Sequence, residues 1–248
     1  MMSDVLTVMW KELHELFLQR GTRRGTLTSV GLMLFLFGMI IPFQMGRDWV
    51  DTPRGLIYLC WIPFMMVNNV IADSFAGERE RHTLETLLAS RLSDLSILLG
   101  KIATAVIYGW GTSLLGMLLA LVTVNVFRSN GELLLYPLAY ALGVPLVSFV
   151  IAGLAAGIGV LVSLHASTVR QAQQTVGTAF IVVILVVILV PLFFQTIPPE
   201  WRVALVNFLN SADLGAIGLG ALAGVFLIDI ILIGVAVAQF RRNRLILD

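Results

Sequence analysis

Six stretches of this chain run the length of a membrane crossing, or close to it, without one charged side chain: residues 25–46, 55–72, 102–127, 133–169, 171–199 and 214–228. The last is interrupted by Asp229 and resumes over 230–240, and the fourth is longer than one crossing needs. A helix needs about 20 mainly apolar residues to traverse the hydrocarbon core. Inside lipid, every backbone N–H and C=O must find its partner within the protein, as a helix provides. Spans are therefore expected near 27–46, 55–75, 96–126, 134–163, 174–196 and 215–238, giving an all-α membrane protein with six transmembrane helices.

Composition agrees. The 248 residues are 58% hydrophobic and only 12% charged, against about 25% charged in a soluble domain. Lipid must be the solvent for most of this surface. Six spans with short loops leave no room for a separate soluble domain, so residues 1–248 read as a single membrane domain. A formal net charge of +1 argues against nucleic acid as a partner. Cys60, the one cysteine, lies inside an apolar run and offers neither a disulfide framework nor a metal site. Asp4, Lys11, Glu12 and Glu15 precede the first apolar run, which exceeds the roughly 7–15 residues of a signal core, so the first span is expected to be retained.

Positively charged loops stay on the cytoplasmic side of a membrane. With the N-terminus inside, that side holds Lys11, Arg20, Arg23, Arg24, Arg79, Arg81, Arg91, Lys101, Arg170, Arg241, Arg242 and Arg244, while the outer side keeps only Arg47, Arg54, Arg128 and Arg202. Twelve cations against four set both termini in the cytoplasm. Trp49, Tyr58, Trp61, Tyr136, Tyr140 and Trp201 then fall near the outer interface, as an aromatic belt would.

Ahead of the first span, within residues 1–24, Val5, Leu6, Met9, Trp10, Leu13, Leu16 and Phe17 recur at helical spacing. Asp4, Lys11, Glu12, His14, Glu15 and Gln19 fill the other face. This is an amphipathic helix suited to the inner interface of the bilayer or, compatibly, to docking against a cytoplasmic partner, with Thr22-Arg23-Arg24-Gly25 after it as a flexible basic elbow. Between the fifth and sixth spans Pro198 and Pro199 break the helix. Trp201, Leu205, Phe208 and Leu209 then describe a short outer helical segment ending in Asn210-Ser211-Ala212-Asp213.

Several kinds of chemistry lack their residues. Gly100-Lys101 is the nearest approach to a phosphate-binding G-x-x-x-x-G-K-[ST] loop, but Leu95 and Ile102 stand where a glycine and a hydroxyl residue are needed. His14, His82 and His165 are far apart and lack metal-ligand spacing. No G-x-S-x-G elbow occurs.

The distinctive stretch is residues 77–93, on the cytoplasmic side between the second and third spans. Gly77 can release the span, and Glu78, Arg79, Glu80 and Arg81 hold the segment in water. Thr83 can cap a short helix with Leu84, Leu87 and Leu88 on one face, and Ser93 and Asp94 offer a cap for the third span. A short two-faced helix between spans has the shape to press into a groove on a soluble partner. It could equally be an interfacial loop helix that only returns the chain.

Residues 78–88, with Ala89-Ser90, Ser93, Ile97, Gly100 and Lys101 after them, resemble the ABC-2 type permeases, the membrane subunits of ATP-binding-cassette exporters. Their pattern runs from an acidic and basic cluster through Gly-Thr-Leu-Glu, two leucines and Ser-Pro to Gly-Lys at the start of the next span. His82 stands in place of the glycine before Thr83, and Arg91 in place of the proline after Ser90. The order of an amphipathic helix, six spans and a broken outer segment is similar too. The resemblance implies a permease that binds no cofactor itself. ATP and Mg would be held by separate ATPase subunits coupled through Glu78, Arg79, Glu80, Thr83, Leu84, Glu85, Leu87 and Leu88. It also implies a second permease copy or similar chain, in a bacterial-type plasma membrane.

Polar groups inside the spans are the remaining candidates. Asp229 sits mid-way along the sixth span, where a charge is costly and faces protein or water. With Asn68 and Asn69 it is a candidate for the translocation path; a paired structural acid and interhelical hydrogen bonds are the plainer readings. Gly153 and Gly157, and Gly220 and Gly224, have the G-x-x-x-G spacing of close helix contacts. A stand-alone secondary transporter or channel using Asp229 as a proton or ion site is the alternative function.

Overall fold

In the computed structural model, the structure describes residues 2–18, 20–52, 54–83, 91–129, 131–194, 196, 198–203 and 214–240; within these, the side chains of 18, 20–24, 54, 56, 183–184, 186–188, 190–194 and 214 are not described. Helix α1 is Met2–Leu18. Helix α2 is continuous from Arg20–Phe35 through a π-helical turn, Leu36–Ile40, to Ile41–Met45. A short α3, Asp48–Asp51, turns the chain into α4, which runs Arg54–Ala72, a second π turn Asp73–Gly77, and Glu78–Glu80. Beyond it come α5 (Asp94–Arg128), α6 (Leu138–His165), α7 (Val169–Phe194) and α8 (Leu214–Gln239).

Among the described residues five helical stretches are long and apolar enough to cross a membrane: Gly25–Met45, Ile57–Glu80, Asp94–Arg128, Leu138–His165 and Gly215–Gln239. They coincide with five of the six expected spans. Helix α7 overlaps the other, at 174–196, with 26 residues. Helix α5, at 35 residues, is about 52 Å long at 1.5 Å per residue. That exceeds the roughly 30 Å hydrocarbon core, so its ends reach beyond the apolar layer.

Helix α4 is the centre of the bundle, packed between α5 and α6. Glycines set these contacts: a Cβ on Gly109 of α5 would meet Val67 Cγ2 at 2.5 Å, and one on Gly159 of α6 would collide with Ile71. Phe64 stacks on Phe180 of α7 with centroids 3.6 Å apart. Of the G-x-x-x-G pairs, Gly153 and Gly157 pack on Asp229 and Leu232 of α8, whereas a Cβ on Gly220 or Gly224 would meet nothing within 4 Å among the described residues.

Breaks in the helical ladder are met by hydroxyls from neighbouring helices, as the absence of water in lipid demands. Pro63 cannot donate to Leu59 O, and Ser113 Oγ donates to it at 3.0 Å. At the α2 π turn Thr123 Oγ1 donates to Gly38 O at 2.8 Å. At the α4 π turn, Ser163 Oγ accepts from Ala76 N and donates to Ala72 O, both at 3.0 Å. These two groups would have bonded each other in an unbroken α-helix, so one serine is spliced into the ladder of the adjacent span.

At the end of the bundle remote from residues 78–83, Asn125 holds Leu134 by both backbone groups, at 2.8 Å each, and 133–137 are not helical. Helix α6 therefore starts at Leu138, not near 134 as expected. The aromatic belt also needs correction: Trp49 is 1% exposed and donates through Nε1 to Tyr136 Oη at 3.0 Å. Burial pushes the Tyr136 phenol up to about 12, although the Trp49 bond works the other way, so it stays neutral and donates to Met117 O at 3.2 Å. Tyr58 and Trp201 do present exposed rings.

The expected elbow at Thr22–Gly25 is helical and lies within α2; residue 19 is outside the described residues. Glycine disfavours a helix by only about 1 kcal/mol, too little to stop one. Of the broken segment before the last span, 199–203 are helical, while Leu205, Phe208, Leu209 and 210–213 lie outside the described residues.

Candidate functional site

The charged end of α4 is where three polar contacts between helices meet. Glu78, Arg79 and Glu80 form the last turn of α4, and each engages a different neighbour. Lys101, on the second turn of α5, has a side chain only 1% exposed and bonds Glu78 Oε1 at 2.8 Å and Glu12 Oε1 at 2.9 Å. The Phe75 ring lies beneath it, 5.6 Å from Nζ to centroid. A buried cation needs such partners, because leaving water costs several kcal/mol per ion. Among the described residues Glu78 Oε2 is buried without a hydrogen-bond partner.

Arg79 reaches the end of α6, donating from Nη1 to Ala166 O at 2.6 Å and from Nη2 to Leu164 O at 2.8 Å. Glu80 Oε2 accepts from Val169 N at 3.2 Å, the first residue of α7. Arg81 pairs with Asp73 at 3.1 Å. Burial works against its charge, but the hydrogen bond and charge of Asp73 hold its pKa above the usual value. This exposed pair contributes at most about 1 kcal/mol.

The helix does not end at Gly77, as expected from sequence. Gly77 has helical dihedrals, φ −67 and ψ −38, and its missing Cβ is what lets Asp73 lie across it. Termination comes at His82, where φ is +56. Thr83 N bonds Glu78 O at 2.9 Å and His82 N bonds Arg79 O at 3.1 Å, the paired 6→1 and 5→2 bonds of a Schellman stop. His82 occupies the left-handed position where glycine is preferred, and it is also the residue that departs from the Gly-Thr-Leu-Glu pattern. The motif's glycine thus has a physical explanation, and histidine here tolerates roughly 1 kcal/mol of backbone strain.

His82→Gly removes that strain but adds freedom to the unfolded chain, offsetting terms of about 0.5–1 kcal/mol each. His82→Val, which resists the left-handed region, should cost about 1–2 kcal/mol. Thermal unfolding in detergent should therefore leave the glycine variant near the native midpoint and lower the valine variant. Equal midpoints for valine and native would contradict the assignment.

The far end of the stretch is also fixed. Ser93 caps α5, its Oγ accepting from Ser96 N at 3.2 Å. Between the two stops, Leu84, Glu85, Leu87 and Leu88 lie outside the described residues, as do Thr86, Ala89 and Ser90. Arg91 is exposed.

Helical periodicity alone puts Glu12 on the solvent face of α1 and leaves Val8 off its apolar stripe. In the structure Val8 is 4% exposed, and a Cβ on Gly100 would meet it at 2.6 Å. Glu12 turns to Lys101, while Leu6, Trp10 and Phe17 stay exposed. Gly100-Lys101 is accordingly a docking step for α1: the glycine admits the helix and the lysine holds its carboxylate. The signal was present, since a lysine opening a hydrophobic span calls for an acid.

The candidate path residues are not brought together. Asn68 is buried, Asn69 is exposed, and Asp229 is 4% exposed against Gly153. Among the described residues no hydrogen bond joins the three, and Asn68 Oδ1 and Asp229 Oδ1 are buried without partners. His165 bonds its own helix, Nδ1 to Leu161 O at 2.8 Å.

The sequence model of a family described as ABC-2 family transporter protein matches residues 55–212, more than half of the chain. The protein belongs to that family and is a multi-pass membrane permease subunit of an ABC transporter. Such permeases are generally not catalytic themselves and work with ATP-binding subunits. No curated protein matches the chain.

Proposed function

We propose that this ABC-2 permease is the membrane half of an exporter, driven by ATPase subunits that dock on the stretch between α4 and α5. Mg-ATP is bound and hydrolysed on those subunits. The observation that carries the reading is the double fixing of this stretch within the family match: a Schellman stop at His82 and a serine cap at Ser93. The apolar residues Leu84, Leu87 and Leu88 between them supply the docking face.

Around this stretch the proposal is six spans with α7 as the fifth, and both termini in the cytoplasm of a bacterial-type plasma membrane. A second permease copy or similar chain completes the pathway. Lys11, Arg79, Arg81 and Lys101 gather at one end of the bundle, and Arg47 and Arg128 at the other, where they bond Glu132 and Phe43 O. That segregation supports the orientation. Asp229, Asn68 and Asn69 are proposed to face the path once a second permease is present.

Replacing Leu84, Leu87 and Leu88 together with Asp should abolish association with the ATPase and transport, while the permease still reaches the membrane. Unchanged association and transport would show that docking occurs elsewhere. Transport that ignores ATP, tracks a proton gradient and fails in Asp229→Asn would favour the stand-alone transporter.

A further inference from the structure

The corner between α6 and α7 is only three residues long, Ala166, Ser167 and Thr168. A helix end leaves orphan carbonyls at its C-terminus and orphan amides at its N-terminus, with partial negative and positive charge respectively. The start of α7 meets part of its own need: Gln171 N donates to Thr168 Oγ1 at 3.2 Å, and Ser167 N and Oγ donate to Gln171 Oε1 at 3.0 and 2.9 Å. Its first amide, Val169 N, goes to Glu80. At the end of α6, His165 folds back on Leu161 O, and the carbonyls of Leu164 and Ala166 are left to Arg79.

Two consecutive residues of opposite charge therefore sit on two helix ends of opposite polarity, each with the favourable sign. Just behind them, Ser163 of α6 is spliced into the π turn of α4. Displacement of residues 78–83 must either break these bonds or carry the corner with it. Arg79 is half-buried with both amino groups engaged, which leaves little of it to meet a partner.

Taking the proposed ATPase docking as given, we propose that Arg79 and Glu80 are positioning residues. They hand the movement of the docking stretch to the α6–α7 corner, so that α6 and α7 move with α4, and they do not form the ATPase contact.

The test uses the full-length permease with its copurifying ATPase in nanodiscs, carrying Cys60→Ala and a reporter Arg170→Cys at the exposed start of α7. Mg-ATP with vanadate should change the thiol-labelling rate severalfold. In R79Q/E80Q the ATPase should copurify at native stoichiometry, yet the nucleotide-dependent change and transport should be lost. E80Q alone, which leaves an acceptor for Val169 N but removes its negative charge, should reduce the response partially and keeps the test open if the double variant misfolds. R79K should restore part of the response. Loss of ATPase association in folded R79Q/E80Q or E80Q would overturn the inference, because these residues would then be docking contacts. A labelling rate that ignores nucleotide in the native background, while ATP-driven transport persists, would overturn it and leave the docking proposal intact. Absence of any associated ATPase, with ATP-independent transport, would instead remove the docking proposal and the inference with it.

Discussion

Lys101→Met is expected to be the most damaging single substitution at the docking end. It removes the lysine that bonds both Glu12 and Glu78, in a site where its side chain is 1% exposed and the carboxylates 17% and 12%. Breaking a buried ion network by deleting one partner typically costs about 3–5 kcal/mol, because the remaining charges stay desolvated and unpaired. Lys11 lies 3.6 Å from Glu12 but is half exposed, so it offers little compensation. The weakest response available to the protein is to release α1 from Gly100, and protease sensitivity of residues 2–18 should rise accordingly. The triple variant Lys101→Met, Glu12→Gln, Glu78→Gln should recover much of the stability, since a network made neutral leaves no uncompensated ion. If Lys101→Met alone keeps native stability and a protected α1, the triad is not what fastens that helix.

Ser163→Ala should come next. One hydroxyl satisfies Ala76 N–H and Ala72 C=O, both buried. Without it the two groups either remain unpaired, at about 1–3 kcal/mol each, or bond each other as the π turn heals. Healing would remove the extra residue of the wide turn and rotate 78–83 by about 100°, away from Lys101, Leu164 and Val169. Either route predicts a large fall in coupled transport, with a stability loss of about 2–6 kcal/mol if the turn persists. Ser148→Ala is the internal control. Ser148 is equally buried, but it donates only to Pro145 O within its own helix, and its loss should cost about 1 kcal/mol or less. Thermal unfolding and transport assays on the pair decide the matter: comparable, mild effects would contradict the splice.

Much of this architecture is legible in the sequence because lipid imposes a coarse rule. A span must be long, apolar and helical, so five expected crossings reappear to within a few residues. The charged stretch is legible because charge between two spans is expensive to place anywhere else. What escapes the sequence is tertiary. Glu12 looks like a solvent-facing residue of an amphipathic helix until Lys101 is known to lie opposite. Gly77 reads as a helix stop, yet the stop is made by His82, a residue whose type gives no hint of a left-handed backbone. Ser163 carries no periodicity signal, since one hydroxyl on an apolar helix acquires meaning only when the ladder beside it is broken. Arg79 and Glu80 are visible as a charged pair, but not the two helix ends they cap.

The central claim is that this permease works through an ATPase seated on the stretch that begins at Glu78 and ends at Ser93. Affinity purification from native membranes, with an ATPase assay of the isolated complex, tests it most directly. An ATP-binding subunit should copurify with the native chain in stoichiometric amount and be lost when Leu84, Leu87 and Leu88 are changed to Asp. Its turnover should respond to the presence of the permease. A native complex that carries no ATPase, or an ATPase retained in full by the leucine variant, would contradict the claim.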